Sequence, residues 1–325
     1  MQFKFGFVGQ EAEVDNMMLN AFRDAGGERT NNSDWDVLWY TGKQPPLRLF
    51  KNLAKGQKVN HIPNLNFLTD KWLLAKDLVD TDIHPRTWLL DESRAELESM
   101  LTESDEQWIL KPRMGTWGQD ISLIDGLDEL PARGSWLVQE KIPSYLVDGA
   151  AIKFRCYLLV TNCRPLTAFL YQDGLVDVAV MPEAENPVDT FAFNVNRGVQ
   201  SKHPGFKVGE HHLSASQFRG MLDPVLSEQL WPKIGSQVSR LLENKRLHFE
   251  EISETLLRYP DSCFEFLGLD VMLDRQGHPW IIECNLSPSM DDGGMGEFKQ
   301  QVLTDTFSLV ASDGQQLGAY ERLSV

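Results

Sequence analysis

Three residues able to ligate a cation lie close together in DVMLDRQGHPWIIECN, residues 270–285: Asp270, Glu283 and Asn285. The apolar alternation of LDVML and PWIIEC predicts two antiparallel strands, with Arg275 to His278 as the turn between them. Such a hairpin sets Asp270 opposite Glu283, with Cβ atoms roughly 4.5–5.5 Å apart. Asn285, two residues on, points to the same face. Facing carboxylates repel unless one is protonated or a cation lies between them. Magnesium suits this set, because it binds through one or two carboxylates and completes its shell with substrate phosphates. A solvated acidic hairpin face is the plain alternative, and the neighbouring segments decide between the two.

In WILKPRMGTWGQDI an apolar strand ends in Lys111-Pro112 and runs into a loop with Gly115 and Gly118. A lysine leaving a strand beside a glycine loop can neutralise a phosphate while loop N–H groups fold over it. No GxxxxGK[ST] occurs, which excludes a Walker-type loop. SWLVQEKI closes a strand with Gln139, Glu140, Lys141 and Ile142, whose backbone and side chains could meet the edge of an adenine ring. In KFRCYLLVT, Arg155 enters an apolar strand and calls for an anion, which any of 47 acidic residues could also supply.

Strands and helices alternate through the first half of the chain. FKFGFVG reads as a strand, AEVDNMMLNAFRDAGG as a helix stopped by Gly-Gly, and WDVLWY as a second strand. LTDKWLLAKDL, PRTWLLD, ELESMLTE, QWILKP and SWLVQEKI continue the alternation. After GAAIKFRCYLLVT the pattern is mainly strand, and AFLYQDGLVDVAVM predicts a hairpin turning at Asp173-Gly174. The polar stretch 182–216 reads as a long functional loop, and 217–257 as a long helix or helix pair. The expected division is 1–67, a small α/β unit; 68–142, a second α/β unit; and 143–325, a mainly antiparallel unit carrying the carboxylates.

The 325 residues are 42% hydrophobic and 24% charged, which places the chain among folded globular proteins. A net charge of −16 argues against partnership with nucleic acid or an anionic membrane. The N-terminus lacks the basic start and apolar run of a secretory signal, and no stretch reaches the roughly 18 apolar residues of a membrane helix. A cytoplasmic location is the expectation. Cys156, Cys163, Cys263 and Cys284 show no CxxC spacing and read as reduced core residues. The histidines offer no zinc-ligand spacing, since His211 and His212 are adjacent.

Together these segments resemble the tubulin-tyrosine ligase-like branch of the ATP-grasp ligases over almost the whole chain. KVNHIPNLNFLTDKWLLAK resembles the family's Asn-His-x-Pro and Leu-Thr-x-Lys elements, and puts Lys71 at its first nucleotide lysine. WILKP gives Lys111 as the second; VQEKI resembles the adenine-holding hinge, Gln139 to Ile142; FRCYLLVT resembles the strand that begins with arginine, here Arg155. FEFLGLDVMLD, PWIIECNLSPSM and KQQVLTDTFSLV resemble the C-terminal signature, and the family's magnesium ligands fall on Asp270, Glu283 and Asn285. The resemblance implies an ATP-grasp fold, ATP and Mg2+ as cofactors, and an acyl-phosphate that a free amino acid converts to an amide on a protein or peptide. Lys71, Lys111 and Arg155 would balance charge at the transferring phosphoryl group.

Departures from the family pattern cluster. Its Lys-x-Asp-x-Arg reads Ala151-Ile152-Lys153-Phe154-Arg155, so Lys153 is the candidate replacement for the lost nucleotide lysine. The arginine usual three residues after the glycine of LYQDGLVDVAV is Asp177, the His-Leu-Thr-Asn element is Phe193-Asn194-Val195-Asn196, and a loop glycine is Asp120. The acidic net charge predicts an acceptor other than an acidic tubulin tail. The alternative is a nucleotide-binding module without ligation, motivated by Ala151 and Asp177.

Overall fold

The computed structural model describes residues 2–8, 16–41, 44–103 and 107–325. Residues 12–15 of the expected first helix lie outside the described residues. The N-terminal part winds β1 (Phe3–Val8), α1 (Asn16–Asp24), β2 (Gly27–Arg29), β3 (Val37–Tyr40), α2 (Leu47–Asn52) and β4 (Lys58–Asn60), with β1 to β4 all parallel where they pair. α3 (Asn66–Thr69) and α4 (Lys71–Ala75) lead to β5 (Thr87–Leu89), α5 (Leu90–Glu103), β6 (Trp108–Pro112), β7 (Ser122–Ile124) and β8 (Trp136–Glu140). These four strands form a separate antiparallel sheet in the order β5-β8-β6-β7, packed on α5 through Leu90, Leu97 and Leu101.

The C-terminal half begins with β9 (Leu146–Val147), β10 (Ala150–Cys163) and β11 (Leu166–Val178). The 182–216 stretch carries α6 (Thr190–Phe193), α7 (Arg197–Gln200) and β12 (His212–Ser214), and α8 (Ala215–Phe218) starts at its end. α9 (Pro224–Asn244) and α10 (Arg246–Thr255) are the expected helix pair; β13 (Cys263–Leu273), β14 (Pro279–Leu286), α11 (Gly296–Ala311) and β15 (Tyr320–Arg322) complete the chain. The fold is mixed α/β. The parallel N-terminal strands and the antiparallel C-terminal ones share one large sheet, joined where β4 runs parallel to β13 at Val59–Cys263. Among the described residues no helix is long and apolar enough to cross a membrane.

Strand periodicity decides which side of this sheet does chemistry. On β10 and β13, Phe154, Cys156, Leu158, Leu267, Leu269 and Val271 face α9 and α10 in one core. On the opposite face Tyr157, Leu159, Phe264 and Phe266 pack with Phe22 of α1 and Phe307 of α11. That second face is apolar only at one end. Two and four residues back from Tyr157 along β10, and four on from Phe266 along β13, the same face presents Arg155, Lys153 and Asp270. Gly268 lies between the two zones, and a Cβ there would come 3.0 Å from Arg155 Cδ and 2.8 Å from Pro288 Cβ. All four cysteines are free and buried.

The structure corrects one turn. Asp173-Gly174 does not reverse the chain, because β11 runs through it and pairs along β10. The reversal comes earlier, between Cys163 and Leu166. Gly174 serves a close approach instead: a Cβ there would sit 2.5 Å from the carbonyl oxygen of Arg155. Asp173 accepts the N–H groups of Gly174 and Ser216, which pins a bulge where three residues of β11 answer one of β10.

Candidate active site

β13 and β14 pair antiparallel with Asp270 opposite Glu283 and Gly268 opposite Asn285. The register reaches this pairing by a bulge. Val271 faces Ile281, so Ile282 is an extra residue on β14. Its effect is to reverse parity: Ile281 and Cys284 lie in the core, while Glu283 and Asn285 line a cavity with Asp270. Burial raises the pKa of Cys284, in keeping with an inert core thiol.

This cavity, of about 300 Å³, adjoins a narrower cleft of about 120 Å³. Lys71, Lys111, Lys153, Asp270 and Glu283 line both. Lys71 owes its place to Asp70, the N-cap of α4, which accepts the N–H groups of Trp72 and Leu73 and also pairs with Arg113 at 2.9 Å. One carboxylate thus ties the first lysine's helix to the strand end carrying the second. Lys71 Nζ donates to Gly115 O at 2.6 Å and lies 3.8 Å from Glu283 Oε1.

Lys111 is 4% exposed, and its Nζ donates to Gln139 Oε1 at 2.9 Å. Burial lowers its pKa to about 8; Glu283 works against this and Lys71 with it. Gln139 donates in turn to Thr87 Oγ1 at 2.8 Å and meets His84 Nε2 at 3.1 Å, while His84 Nδ1 lies 2.7 Å from the carbonyl of Ile281. Burial and then the nearby Lys111 push His84 down to about 3, so it is neutral: Nδ1–H donates to Ile281 and Nε2 accepts from Gln139. The side chain of Gln139 is therefore spent holding Lys111. Its hinge partners line the cleft with it: Glu140 bonds Arg86, Lys141 bonds Gln107 and Glu183, and Ile142 is buried. Ala151, Phe193, Asn194 and Val195 close the cleft.

Asp270, 4% exposed, accepts from Arg155 Nε at 2.6 Å and from Lys153 Nζ at 3.0 Å. Burial would raise its pKa, but Arg155 and Lys153 outweigh that and keep it ionised. Burial likewise disfavours the charge on Arg155, and Asp270 more than restores it. Lys153 also lies 3.7 Å from Asp177 on β11, and Asp177 Oδ1 is 2.7 Å from His212 Nδ1 on β12.

Several cavity residues were not signalled by local sequence. Lys299 of α11, buried, donates to the backbone of Asp291 at 2.5 Å. Arg197 approaches Asp291 at 3.5 Å, and Trp117 and His212 complete the wall. The 113–121 loop is tied down by Asn194 Nδ2, which donates to Gly118 O at 2.9 Å. Asp120, where the family has glycine, has φ of 55°, a left-handed conformation that favours glycine. Its cost is limited because aspartate tolerates that region better than most residues.

The donor set fits a cation shared with a phosphate better than a closed metal cage. Among the described residues no group of three or more His, Cys, Asp or Glu side chains could hold a metal. Two carboxylates and an amide oxygen beside lysines suit a cation that completes its shell with phosphate oxygens.

Residues 50–316 match the tubulin-tyrosine ligase family, and the chain belongs to it. The sequence is 27% identical over 324 residues to tubulin polyglutamylase ttll6 of Danio rerio, covering 92% of this chain and 41% of that protein. It is 30% identical over 268 residues to human tubulin polyglutamylase TTLL7, covering 73% and 30%, and 26% identical over 303 residues to human tubulin monoglutamylase TTLL4, covering 86% and 25%. The chain thus spans less than half the length of these relatives.

The expectation of an acceptor other than tubulin is overturned, since the relatives that this chain resembles are named tubulin polyglutamylases and a tubulin monoglutamylase. The inference from net charge fails for a physical reason. Net charge counts every surface carboxylate, whereas a substrate meets the local field of a cleft. Among the described residues, Lys71, Lys111, Lys153, Arg155, Arg197 and Lys299 line the cavity against Asp177, Asp270, Glu283 and Asp291.

Proposed function

We propose that this chain is an ATP-dependent carboxylate–amine ligase that joins a free amino acid to a carboxylate of a protein acceptor. Glutamate and a tubulin tail are the donor and acceptor to test first, by kinship with tubulin glutamylases. The observation that carries the reading is the pairing of Asp270 with Glu283 across a bulged hairpin, on the cavity wall they share with Lys71 and Lys111.

The cleft lined by Gln139 to Ile142 and Ala151 would take the adenine. Lys71 and Lys111 reach phosphate oxygens from two elements fixed by Asp70. Lys153 supplies, from two residues along the strand, the charge missing at Ala151. Asp270, Glu283 and Asn285 would hold Mg2+, which would supply charge neutralisation for the transferring phosphoryl group. Phosphoryl transfer needs positioning and charge compensation more than covalent help, so no serine or cysteine nucleophile is required. Arg155, fixed by Asp270, faces the acyl-phosphate as charge moves onto the departing oxygen.

The test is incubation of the chain with ATP, Mg2+, tubulin and labelled glutamate, then with other labelled amino acids, with tryptic peptides read by mass spectrometry. ATP-dependent addition to a tubulin tail is expected. Magnesium–ATP binding without transfer of any amino acid to tubulin overturns the reading.

A further inference from the structure

The ligase chemistry leaves one requirement unmet by the residues assigned so far. At neutral pH an amino acid carries its amine as ammonium, which has no lone pair for attack on an acyl-phosphate. A group at the cavity wall has to accept that proton.

His212 has the required features. It lines the cavity, yet is only 2% exposed, and its Nε2 has no hydrogen-bond partner among the described residues. An unpaired buried polar nitrogen is costly, and the cost is removed when a ligand supplies the partner. The other ring nitrogen is fixed: Nδ1 lies 2.7 Å from Asp177 Oδ1. With Nδ1–H donating to the carboxylate, Nε2 is the free base of the ring. Asp177 is itself held by Lys153, 3.7 Å away, and Lys153 in turn by Asp270. The same sheet face therefore carries Asp270, Lys153, Asp177 and His212 in an unbroken chain of contacts, ending at an orphan nitrogen. A carboxylate that orients imidazole for proton abstraction is a recurrent device of acyl transfer.

Resting on the ligase reading above, we infer that His212 is the general base for the incoming amino acid and Asp177 its positioning residue. One ammonium proton passes to Nε2. The freed amine attacks the acyl carbon; the new N–C bond forms as the C–O bond to phosphate breaks, and that electron pair leaves with the phosphate. The amine's second proton goes to the departing phosphate, the third stays on the amide, and His212 returns its own to solvent.

Hydroxylamine separates this step from the rest, because it is a largely neutral nucleophile at pH 7 and traps acyl-phosphates as hydroxamates without a base. Wild type and His212→Gln, as the full chain, are given ATP, Mg2+ and tubulin with either glutamate or hydroxylamine. His212→Gln is expected to lose glutamate ligation by roughly 10²–10⁴-fold, while hydroxamate formation falls far less. Asp177→Asn should show the same split with a smaller loss. Glutamate ligation by His212→Gln at the wild-type rate overturns the inference, as does equal loss of both products, which marks His212 as structural. Hydroxamate from wild type sustains the ligase reading in either case; its absence from wild type overturns that reading and the inference with it.

Discussion

Lys153 and Asp177 are cross-strand partners on β10 and β11, with Nζ 3.7 Å from Oδ2. Both depart from the family pattern, in which an aspartate stands at the first position and an arginine at the second. The two departures meet in space as one buried ion pair. Lys153 has Asp270 as a second partner, and Asp177 has His212.

This row is expected to behave as a coupled unit. Lys153→Met leaves Asp177 without a lysine and Asp270 with Arg155 alone, and removing one partner from a buried pair costs about 3–5 kcal/mol. Asp177→Asn added to it should recover part of that loss. Urea midpoints of the two single variants and the double variant measure the coupling; additive losses would show the pair to be energetically idle.

Glu283→Gln keeps the shape of the cavity and removes one charge. ADP release that depends on Mg2+ and acceptor should fall by on the order of 10²-fold, with little change in melting temperature. Unchanged turnover would remove Glu283 from the magnesium set.

Lys111 makes nucleotide affinity depend on pH. Its pKa in the folded chain, about 8, lies below the ordinary lysine value of 10.5 because burial disfavours the charged form. A phosphate favours that charged form, so binding above pH 8 must draw in a proton. Affinity should therefore fall as pH rises through about 8, by at most about tenfold per pH unit. Stability without nucleotide should move the other way, rising between about 8 and 10.5 as the unfolded chain binds the extra proton. Gln139→Leu removes the acceptor of the Lys111 ammonium and should shift the affinity break to lower pH. Calorimetric titrations with ATP across this range check both statements.

Gly174→Ala tests the strand contact under the site. The added Cβ would overlap the Arg155 carbonyl at 2.5 Å, which is backbone and cannot rotate away. Separation of β11 from β10 should cost about 1–3 kcal/mol and reduce turnover, by displacing Arg155 and Asp177 together. A variant with wild-type melting temperature and activity would show that β11 can shift without disturbing the site.

Much of the site could be read from the chain because it depends on local periodicity. Alternation with period two put Asp270, Glu283 and Asn285 on one face, and the apolar run before Lys111-Pro112 marked a strand end. Steric rules along a strand act over a few residues, and those residues are adjacent in sequence. The bulge at Ile282 was not legible, although without it Glu283 would share the face of Ile281 and point into the core. A bulge is set by which cross-strand hydrogen bonds and core contacts win, and its partners lie on other elements. Gly174 misled for the same reason: Asp-Gly is a turn signal, but here the glycine answers the backbone of β10. The contact of Gln139 with Lys111, the neutral His84 beneath it, and the pairing of His212 with Asp177 join residues 28, 55 and 35 positions apart. The sequence by itself determined the residue types, their strand faces and the family. The tertiary structure decided which charges are paired, which nitrogen is left without a partner, and how a chain of net charge −16 builds a cavity lined with cations, because these depend on distances that only packing sets.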